Sequence, residues 1–473
     1  MRLKAVEYER NDKGFTKLFS DVFANTHRYN STRKDWMYYN GKVWINDSEG
    51  MQARQSAKRL TDELIKYAIE YGDDKQEFLK SVMRLSSARA RESMIKDSRD
   101  NYFFTNEQLD QNDYILNVQN GTLDLSGDEP KFLEHSSSML LSKIAHVSYD
   151  PTAECPLWNK FLNDVMMGDN SKIEYLQKIA GLSLTGDASQ ETMYILYGST
   201  TRNGKSSYIE TLLHLLGDYA TTMQPQSLAQ KQNTDSRQAS GDIARLNGCR
   251  LVNASESPKK MLFDTSLLKS LLGRDSITAR HIHEREFTFT PKFKLLMNTN
   301  YLPQIADDTV FSSGRINVIS FDRHFEPHEQ DKQLKNKLLK KNELSGILNW
   351  MIQGLRLYRQ QGLNPPEPVL KATEQYRSDS DKIGSFINEC LKKSDKNSKA
   401  KDIYDCYALW CDSNGYGCEN KSNFFSELKS KGLFMRTGTV DGKTLSNVVK
   451  GYVKADNDGF IKCDSDIENM FFD

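Results

Sequence analysis

The sequence lacks an excess of charge of either sign. Its 473 residues include 64 lysines and arginines and 64 aspartates and glutamates, so the formal net charge is zero. A neutral chain has no global field that attracts polyanions. Nucleic-acid binding therefore has to come from local clusters of basic residues, and neutrality does not exclude it.

Long apolar runs are also missing. No stretch approaches the ~20 apolar residues of a membrane span, and the opening residues, MRLKAVEYERNDKG, lack the apolar segment of a signal peptide. The composition, 38% hydrophobic and 27% charged, is ordinary for a globular protein. We expect a cytoplasmic protein without a membrane partner, long enough for about three domains of ~150 residues each.

Cysteine pairs with the spacing of metal ligands are absent. The seven cysteines are scattered without a C-x-x-C pair, so we do not expect zinc. Cys406, Cys411 and Cys418 come closest, but the first two lie in a predicted amphipathic helix. Reduced thiols in a protein core are the better interpretation.

What the sequence does contain is a phosphate-binding loop. In YILYGSTTRNGKSS a hydrophobic strand leads into a loop that ends at Lys205 and Ser206. Small residues let backbone N–H groups surround phosphates, the lysine reaches the β- and γ-phosphate oxygens, and the serine hydroxyl ligates Mg²⁺. The helix predicted to follow, SSYIETLLHLL, directs its positive N-terminus at the anion. The loop therefore predicts ATP and Mg²⁺ as cofactors.

This loop is one residue longer than the pattern G-x-x-x-x-G-K-[ST], because five residues separate its two glycines. The predicted cofactor-binding residues are Gly198, Asn203, Gly204, Lys205, Ser206 and Ser207.

Two later strands end on polar side chains. LVNAS runs into Glu256, where such enzymes hold an acidic residue that polarises water and orients Mg²⁺. FKLLMNTN ends at Asn300, whose amide can position the attacking water. Asn298 shares the same face of that strand and stays an alternative.

A basic stretch lies between these two strands. The alternation in ITARHIHEREFTF predicts a β-hairpin, and basic residues on a projecting hairpin can contact DNA phosphates. A solvated surface hairpin is the alternative interpretation. The basic residues of this stretch are Lys269, Arg274, Arg280, His281, His283, Arg285, Lys292 and Lys294.

A further arginine, Arg315, precedes the strand INVISF. It is suited to reach the γ-phosphate of a neighbouring subunit, which in other P-loop enzymes contributes ~10³-fold or more in rate. Taken alone, a surface salt bridge is the simpler interpretation.

The order of these motifs resembles the superfamily 3 helicases of phage and plasmid primase-helicases. The resemblance rests on the phosphate loop, ARLNGCRLVNASES, K-x-x-x-G-x-D-x-x-x-A-R, F-x-x-x-x-N-T-N-x-L-P and the trailing arginine, and it covers residues 114–325. It implies a ring-shaped, usually hexameric, 3′→5′ DNA helicase with an AAA+-like core. The N-terminal primase domain of full-length relatives is not recognised in residues 1–113, so primer synthesis is not expected.

The resemblance also implies roles for individual residues. Lys205 and Ser206 match the Walker A pair, Glu256 the Walker B glutamate that holds Mg²⁺ through water, Asn300 the motif C asparagine and Arg315 the arginine finger. The predicted DNA-binding residues, on the segment that leads into the hairpin, are Lys269, Arg280, His281, His283 and Arg285.

The predicted fold class is α/β: an AAA+-like P-loop core with an N-terminal mixed α/β region and a C-terminal winged-helix module. Asn40-Gly41 and Asn120-Gly121 predict two hairpins with type I′ turns. The aromatic residues of the first hairpin, which include Trp36 and Trp44, are interpreted as core, with base stacking as the alternative. The predicted divisions are 1–150, 151–391, an exposed linker at 392–401, 402–455 and an acidic tail at 456–473.

The function predicted from these features is an ATP-driven replicative helicase of a phage or mobile element that moves as a ring on single-stranded DNA. Its expected partners are single-stranded and forked DNA, further copies of the chain and host or phage replication proteins. The alternative is a replication initiator or origin-binding ATPase that uses ATP only for assembly. A small-molecule kinase is disfavoured, because it leaves Arg315 and the C-terminal module unexplained.

Overall fold

The computed structural model describes residues 5–70, 75–230, 241–259, 261–280, 286–305, 307–414 and 416–455. The chain divides into two compact units, Met1–Pro303 with Ser313–Ala372, and Gln304–Ser312 with Thr373–Asp473. Both contain helices and strands, which confirms the predicted mixed α/β class. Within the described ranges, no helix is both long and apolar enough to cross a bilayer.

The first unit begins with a small sheet surrounded by helices. Its strand order is β3-β2-β1-β4. Asn11 caps the first helix by accepting a hydrogen bond from the Gly14 N–H. The elements are α1 (Asp12–Phe23), β1 (His27–Asn30), β2 (Asp35–Tyr39), β3 (Trp44–Asp47), α2 (Met51–Glu70), α3 (Lys75–Met83), α4 (Ala88–Asp97) and β4 (Phe103–Phe104).

The predicted hairpin at Asn40-Gly41 is present, with a four-residue connection in place of a type I′ turn. Tyr39 pairs with Trp44, and the Asn40 side chain accepts the N–H groups of Lys42 and Val43, which holds the longer loop. Trp44 is 1% exposed and packs edge-on against Phe104. Core packing is therefore confirmed for this tryptophan.

A second, three-stranded sheet consists of β5 (Ile115–Val118), β6 (Gly121–Asp124) and β7 (Lys131–Leu133). The predicted hairpin is present, but its turn lies one residue earlier, since Val118 pairs with Gly121. Neither Gln119 nor Asn120 has a positive φ. Gly121 is needed instead for close packing, because a Cβ there would lie 2.5 Å from the Phe132 ring.

The centre of the first unit is a five-stranded parallel sheet of order β14-β8-β13-β10-β9. Its strands are nearly continuous apolar runs, as expected when helices cover both faces. The elements are α5 (Pro156–Val165), α6 (Asn170–Leu182), β8 (Met193–Tyr197), α7 (Lys205–Leu216), β9 (Ala220–Met223), α8 (Gly241–Ala244), β10 (Leu251–Ser255), α9 (Thr265–Leu272), β11 (Ile277–Ala279), β12 (Phe287–Phe289), β13 (Lys294–Thr299), α10 (Thr309–Ser312, in the second unit), β14 (Ile316–Ser320), α11 (Leu334–Leu338) and α12 (Lys341–Gln361).

The second unit has its own core, in which Phe386, Tyr407, Phe424 and Val449 are fully buried. Two helices, α15 and α16, pack on a sheet of order β16-β18-β17, and Asp441-Gly442 forms the tight β17–β18 turn with positive φ at both residues. The elements are α13 (Glu367–Ser380, in this unit from Thr373), α14 (Lys382–Cys390), β15 (Leu391–Lys393), β16 (Ser398–Lys399), α15 (Ala400–Asn414), α16 (Lys421–Ser430), β17 (Phe434–Val440), β18 (Lys443–Val449) and β19 (Tyr452–Lys454).

The predicted linker at 392–401 is wrong. β15 pairs with β19 and β16 pairs with β18, so the polar side chains belong to short paired strands. The helix α14 also packs into the core of the second unit through Ile383, Phe386 and Ile387, and the predicted boundary at residue 391 lies too late. The tail, 456–473, lies outside the described residues.

Candidate nucleotide site

The predicted phosphate loop connects β8 to α7, and its two glycines are required by close contacts. A Cβ on Gly198 would lie 2.2 Å from the Asn203 amide nitrogen and 2.9 Å from the Lys205 Nζ. Gly204 has φ +87°, and a Cβ there would lie 2.4 Å from the Val165 side chain. The loop therefore forms a cradle in front of the α7 N-terminus, which fits a phosphate group.

Lys205 begins α7 and is buried at the base of this cradle. Its Nζ donates to the Gly198 carbonyl at 3.2 Å and to the Asn300 Oδ1 at 2.8 Å. Burial lowers the pKa of this amine to about 8. Both acceptors are neutral, so the cationic lysine is paired with no carboxylate among the described contacts and is ready to receive an anion.

The structure separates the two candidate asparagines. Asn300 follows the carboxyl end of β13, next to β8, and contacts Lys205. The Asn298 side chain is buried and accepts a hydrogen bond from the Asn253 amide at 3.0 Å. Ser257 donates to the Tyr301 carbonyl at 2.6 Å and fixes the turn after Asn300.

Glu256 follows β10, the strand on the other side of β13. Its side chain is exposed, its N–H donates to the Asn298 carbonyl at 2.9 Å, and its φ is +58°. A positive φ is a strained conformation for a residue with a side chain and is concentrated at functional sites. Ser206 is exposed and Ser207 half-buried in the first turn of α7. Carboxylate and hydroxyl oxygens suit Mg²⁺.

Arg315 lies at the opposite edge of the sheet. The residue after it, Ile316, pairs with Met193 at the start of β8. The length of β8, roughly 17 Å at ~3.3 Å per residue, separates it from the phosphate loop of its own chain. Its guanidinium contacts the Glu191 carboxylate at 2.9 Å and the Lys269 carbonyl at 3.2 Å.

The predicted hairpin is present as β11 and β12, with Ala279 paired to Phe287. Arg280 directly follows β11 and is half-buried, and Lys269 is half-buried on α9. His281, His283 and Arg285 lie outside the described residues.

Two lysines of the basic stretch are held by contacts within the first unit, and one of them is buried. The Lys294 Nζ is fully enclosed and donates to the Thr185 and Asp187 carbonyls at 2.5 and 3.2 Å, and Lys292 pairs with the Asp113 carboxylate at 2.6 Å. Lys294, which is not among the five predicted DNA-binding residues, starts a central strand and has a structural role.

Sequence reasoning missed the segment after β14. The Phe321 N–H donates to the Tyr197 carbonyl at 2.7 Å, and the Phe325 N–H donates to the Arg202 carbonyl at 3.0 Å. His324 Nδ1 lies 2.9 Å from the Thr201 carbonyl. The run FDRHFE therefore lies along the outside of the phosphate loop. The available signal was a cluster of aromatic and basic residues directly after the last strand.

Three family models match separate parts of the chain. One, described as D5 N terminal like, matches residues 16–167, and one described as poxvirus D5 protein-like matches residues 378–473. Between them, a family of unknown function, DUF5906, matches residues 196–315. Together with the names of the relatives, the two D5 descriptions support a primase-helicase family.

The chain is similar to proteins of large DNA viruses and a virophage. It is 29% identical to "Putative helicase L207/L206" of Acanthamoeba polyphaga mimivirus over 74% of this chain and 38% of that protein. It is 26% identical to "Putative helicase V13" of Sputnik virophage over 44% of this chain and 28% of that protein. It is 21% identical to "Putative primase C962R" of African swine fever virus over 65% of this chain and 34% of that protein.

The chain thus spans about a third of the length of these curated relatives. Among solved structures, the apo C-terminal region of NrS-1 aligns with a TM-score of 0.41 and 10% identity, over 71% of this chain and 96% of that one.

Proposed function

We propose that the chain is an ATP-hydrolysing DNA helicase of viral replication that moves on single-stranded DNA as a ring, with the hexamer as its expected form. The observation that carries the proposal is the 2.8 Å contact between Lys205 and Asn300 at the carboxyl edge of the parallel sheet. It joins a residue that binds phosphate to a residue that positions water, and Glu256 follows the next strand.

Each group has a defined task in this proposal. Lys205 and the N-terminus of α7 hold the phosphates, and Ser206 with Glu256 would hold Mg²⁺, which supplies charge neutralisation at the phosphates. Asn300 orients the attacking water, and Glu256 accepts its proton. The Lys205–Asn300 hydrogen bond joins the Asn300 amide to the residue that binds phosphate. A nucleotide bound in the loop can therefore change the orientation of the Asn300 side chain.

The position of Arg315 supports a ring. It lies at the edge of the sheet opposite its own phosphate loop, a position from which we expect it to reach the site of another subunit. In other P-loop systems, an arginine supplied in this way stabilises the transition-state charge. The sheet order β14-β8-β13-β10-β9, with the phosphate-loop strand between β14 and β13, suits the predicted AAA+-like core.

The names of the relatives support a role in viral DNA replication, and they make single-stranded and forked DNA the expected partners. The two names "helicase" and "primase" differ. The described side chains that match the motifs would form a nucleotide site, which favours the helicase activity as the one proposed.

The test is strand displacement on forked DNA by the purified chain with Mg²⁺ and ATP. Glu256→Gln should bind ATP with near wild-type affinity but hydrolyse it at least ~10²-fold more slowly, because the base is lost. Glu134→Gln, which changes an exposed glutamate far from the site in sequence, is the matched control. Wild-type hydrolysis by Glu256→Gln would contradict the assignment of the base.

A second candidate function, a replication initiator, is favoured by the second unit. Its helices α15 and α16, followed by the β17–β18 hairpin, occur in the order expected of the predicted winged helix, and α16 exposes Ser422, Ser426 and Lys429. Such a module binds duplex DNA through a helix in the major groove. ATP-dependent assembly on duplex DNA without strand separation would select this function over the helicase.

A further inference from the structure

A cavity of about 640 Å³ lies beside the phosphate loop in the first unit. One wall is the end of α5 and the turn after it, with Asn163, Met167 and Gly168. The other wall is the segment after β14, with Arg323 and Phe325.

Both walls are connected to the phosphate loop by direct contacts. Phe325 donates its N–H to the carbonyl of Arg202, inside the loop, at 3.0 Å. On the other side, Gly204 packs so closely against Val165 of α5 that a side chain at position 204 would collide with it. The cavity therefore lies next to the loop proposed to hold the phosphates.

The charged groups that line the cavity are paired with each other. Lys160 contacts the Asp164 carboxylate at 2.6 Å, and Arg323 pairs with Glu329. These pairs leave the lining with no net charge, so it offers no particular attraction to another phosphate. It suits a neutral, flat group.

Three uncharged groups remain to contact such a group. The Arg323 guanidinium lies over one face of the Phe325 ring, 5.0 Å from its centre, so a base would stack on the other face. Met167 is 66% exposed and has a flexible side chain that adapts to an apolar surface. Asn163 is exposed and supplies an amide, which both donates and accepts hydrogen bonds.

We propose that this cavity binds the adenine base and ribose of the nucleotide, with the base stacked on Phe325 and its edge contacted by Asn163. The inference rests on the proposed ATPase function and adds base recognition to it. An asparagine amide matches the donor and acceptor of adenine N6 and N7, whereas guanine presents two acceptors on that edge. Base and phosphates are thus recognised by separate groups of residues.

The test compares ATP with inorganic tripolyphosphate, which has the phosphates and no base. Phe325→Ala should weaken ATP binding by about tenfold, the size of one lost base stack, and leave tripolyphosphate binding unchanged. Phe325→Leu should lose less, because it keeps an apolar surface. Phe103→Ala, at an exposed phenylalanine on β4, is the control. Lys205→Ala should weaken both ligands.

Base selectivity tests Asn163. The wild type should bind ATP more tightly than GTP, and Asn163→Ala should reduce the ratio of the two affinities towards one.

Three results would overturn the inference. In the first, Phe325→Ala weakens ATP and tripolyphosphate equally, which means that it disturbs the loop. In the second, Phe325→Ala affects neither ligand, or Asn163→Ala leaves the ATP to GTP ratio unchanged; the phosphate site then stands without this base pocket. In the third, the wild type binds neither ligand, and the proposed ATPase fails together with the pocket.

Discussion

The two edges of the central sheet use buried lysines in opposite ways. β13 begins with Lys294 at the amino edge and leads to Asn300 at the carboxyl edge, where Lys205 lies. The Lys294 amine is enclosed and donates to main-chain carbonyls. Lys205 donates to one carbonyl and one amide in a cradle made by glycines. Burial lowers the pKa of both amines.

The difference distinguishes a structural cation from the cation that we propose to be functional. At the amino edge, Arg250 also donates to the Leu184 and Ile115 carbonyls, and its guanidinium lies 4.4 Å from the Tyr219 ring. The donors there are used to join the sheet to the segments before it. At the carboxyl edge, the two acceptors of Lys205 are neutral, and the anion that we propose for this loop would compensate its positive charge.

The strongest test of this comparison is the pair Lys205→Ala and Lys294→Met. Lys205→Ala should lower the ATPase rate by about 10³-fold or more, since a cation aimed at developing charge is lost. Its Tm should fall by less than that of Lys294→Met, because Lys205 is the less buried of the two amines and the acceptors that it leaves are less enclosed. Steady-state hydrolysis and thermal denaturation measure the two effects. A large drop in Tm would mean that Lys205 also has a structural role.

Arg315 tests whether the amino edge of one subunit completes the carboxyl edge of another. Arg315→Ala alone should lose about 10³-fold in hydrolysis. A mixture with Lys205→Ala should recover part of the activity. An Arg315→Ala subunit keeps Lys205, and a neighbouring Lys205→Ala subunit supplies Arg315, so one complete site can form between them. The measurement is a titration of one variant into the other. Intact rings without rescue at any ratio would show that Arg315 does not act between subunits.

Lys294→Met should show the opposite pattern to Lys205→Ala. The methionine keeps most of the volume but leaves the Thr185 and Asp187 carbonyls without their donor. Each orphaned buried group costs about 1–3 kcal/mol, so we expect a loss of roughly 2 kcal/mol or more in unfolding free energy. Urea denaturation measures it. The ATPase rate of the folded fraction should stay within about twofold of wild type. A much larger loss would mean that the contacts of Lys294 also affect the proposed nucleotide site.

The pH dependence of nucleotide affinity should reveal Lys205 directly. Its pKa of about 8 is well below the ordinary value of 10.5, and bound phosphate favours the charged amine. Affinity should therefore be nearly constant up to about pH 7.5 and fall by up to tenfold per pH unit above 8. Lys205→Arg, which stays charged, is the control. A flat profile for the wild type would mean that the free amine keeps an ordinary pKa.

The sequence predicted the parts of the site that depend on order along the chain. The loop at 198–204, the strands that end near Glu256 and Asn300, and the hairpin strands β11 and β12 all occur as expected. The Asp441-Gly442 turn has positive φ at both residues, as is typical of the Asp-Gly dipeptide in a tight hairpin turn.

Features that depend on contacts between distant segments were not predictable. The polar run at 392–401 forms strands because β18 and β19 offer backbone partners, which no local pattern reveals. Lys294 has the same residue type as an exposed lysine, and only the carbonyls of Thr185 and Asp187 identify it as buried. The contacts of Phe325 with Arg202 and of His324 with Thr201 likewise join residues that are 123 positions apart in the sequence.

The smallest expected effect concerns Arg280, a cation that lies at neither edge but beside the β11–β12 hairpin. If this hairpin contacts DNA, Arg280→Gln should weaken single-stranded DNA binding and make the plot of log affinity against log salt shallower by about 0.7, the value for one phosphate contact on a single strand. Fluorescence anisotropy at several salt concentrations measures the slope. Lys332→Gln, at an exposed lysine of another loop, should leave it unchanged. Equal slopes for both variants and the wild type would mean that Arg280 makes no contact with a DNA phosphate.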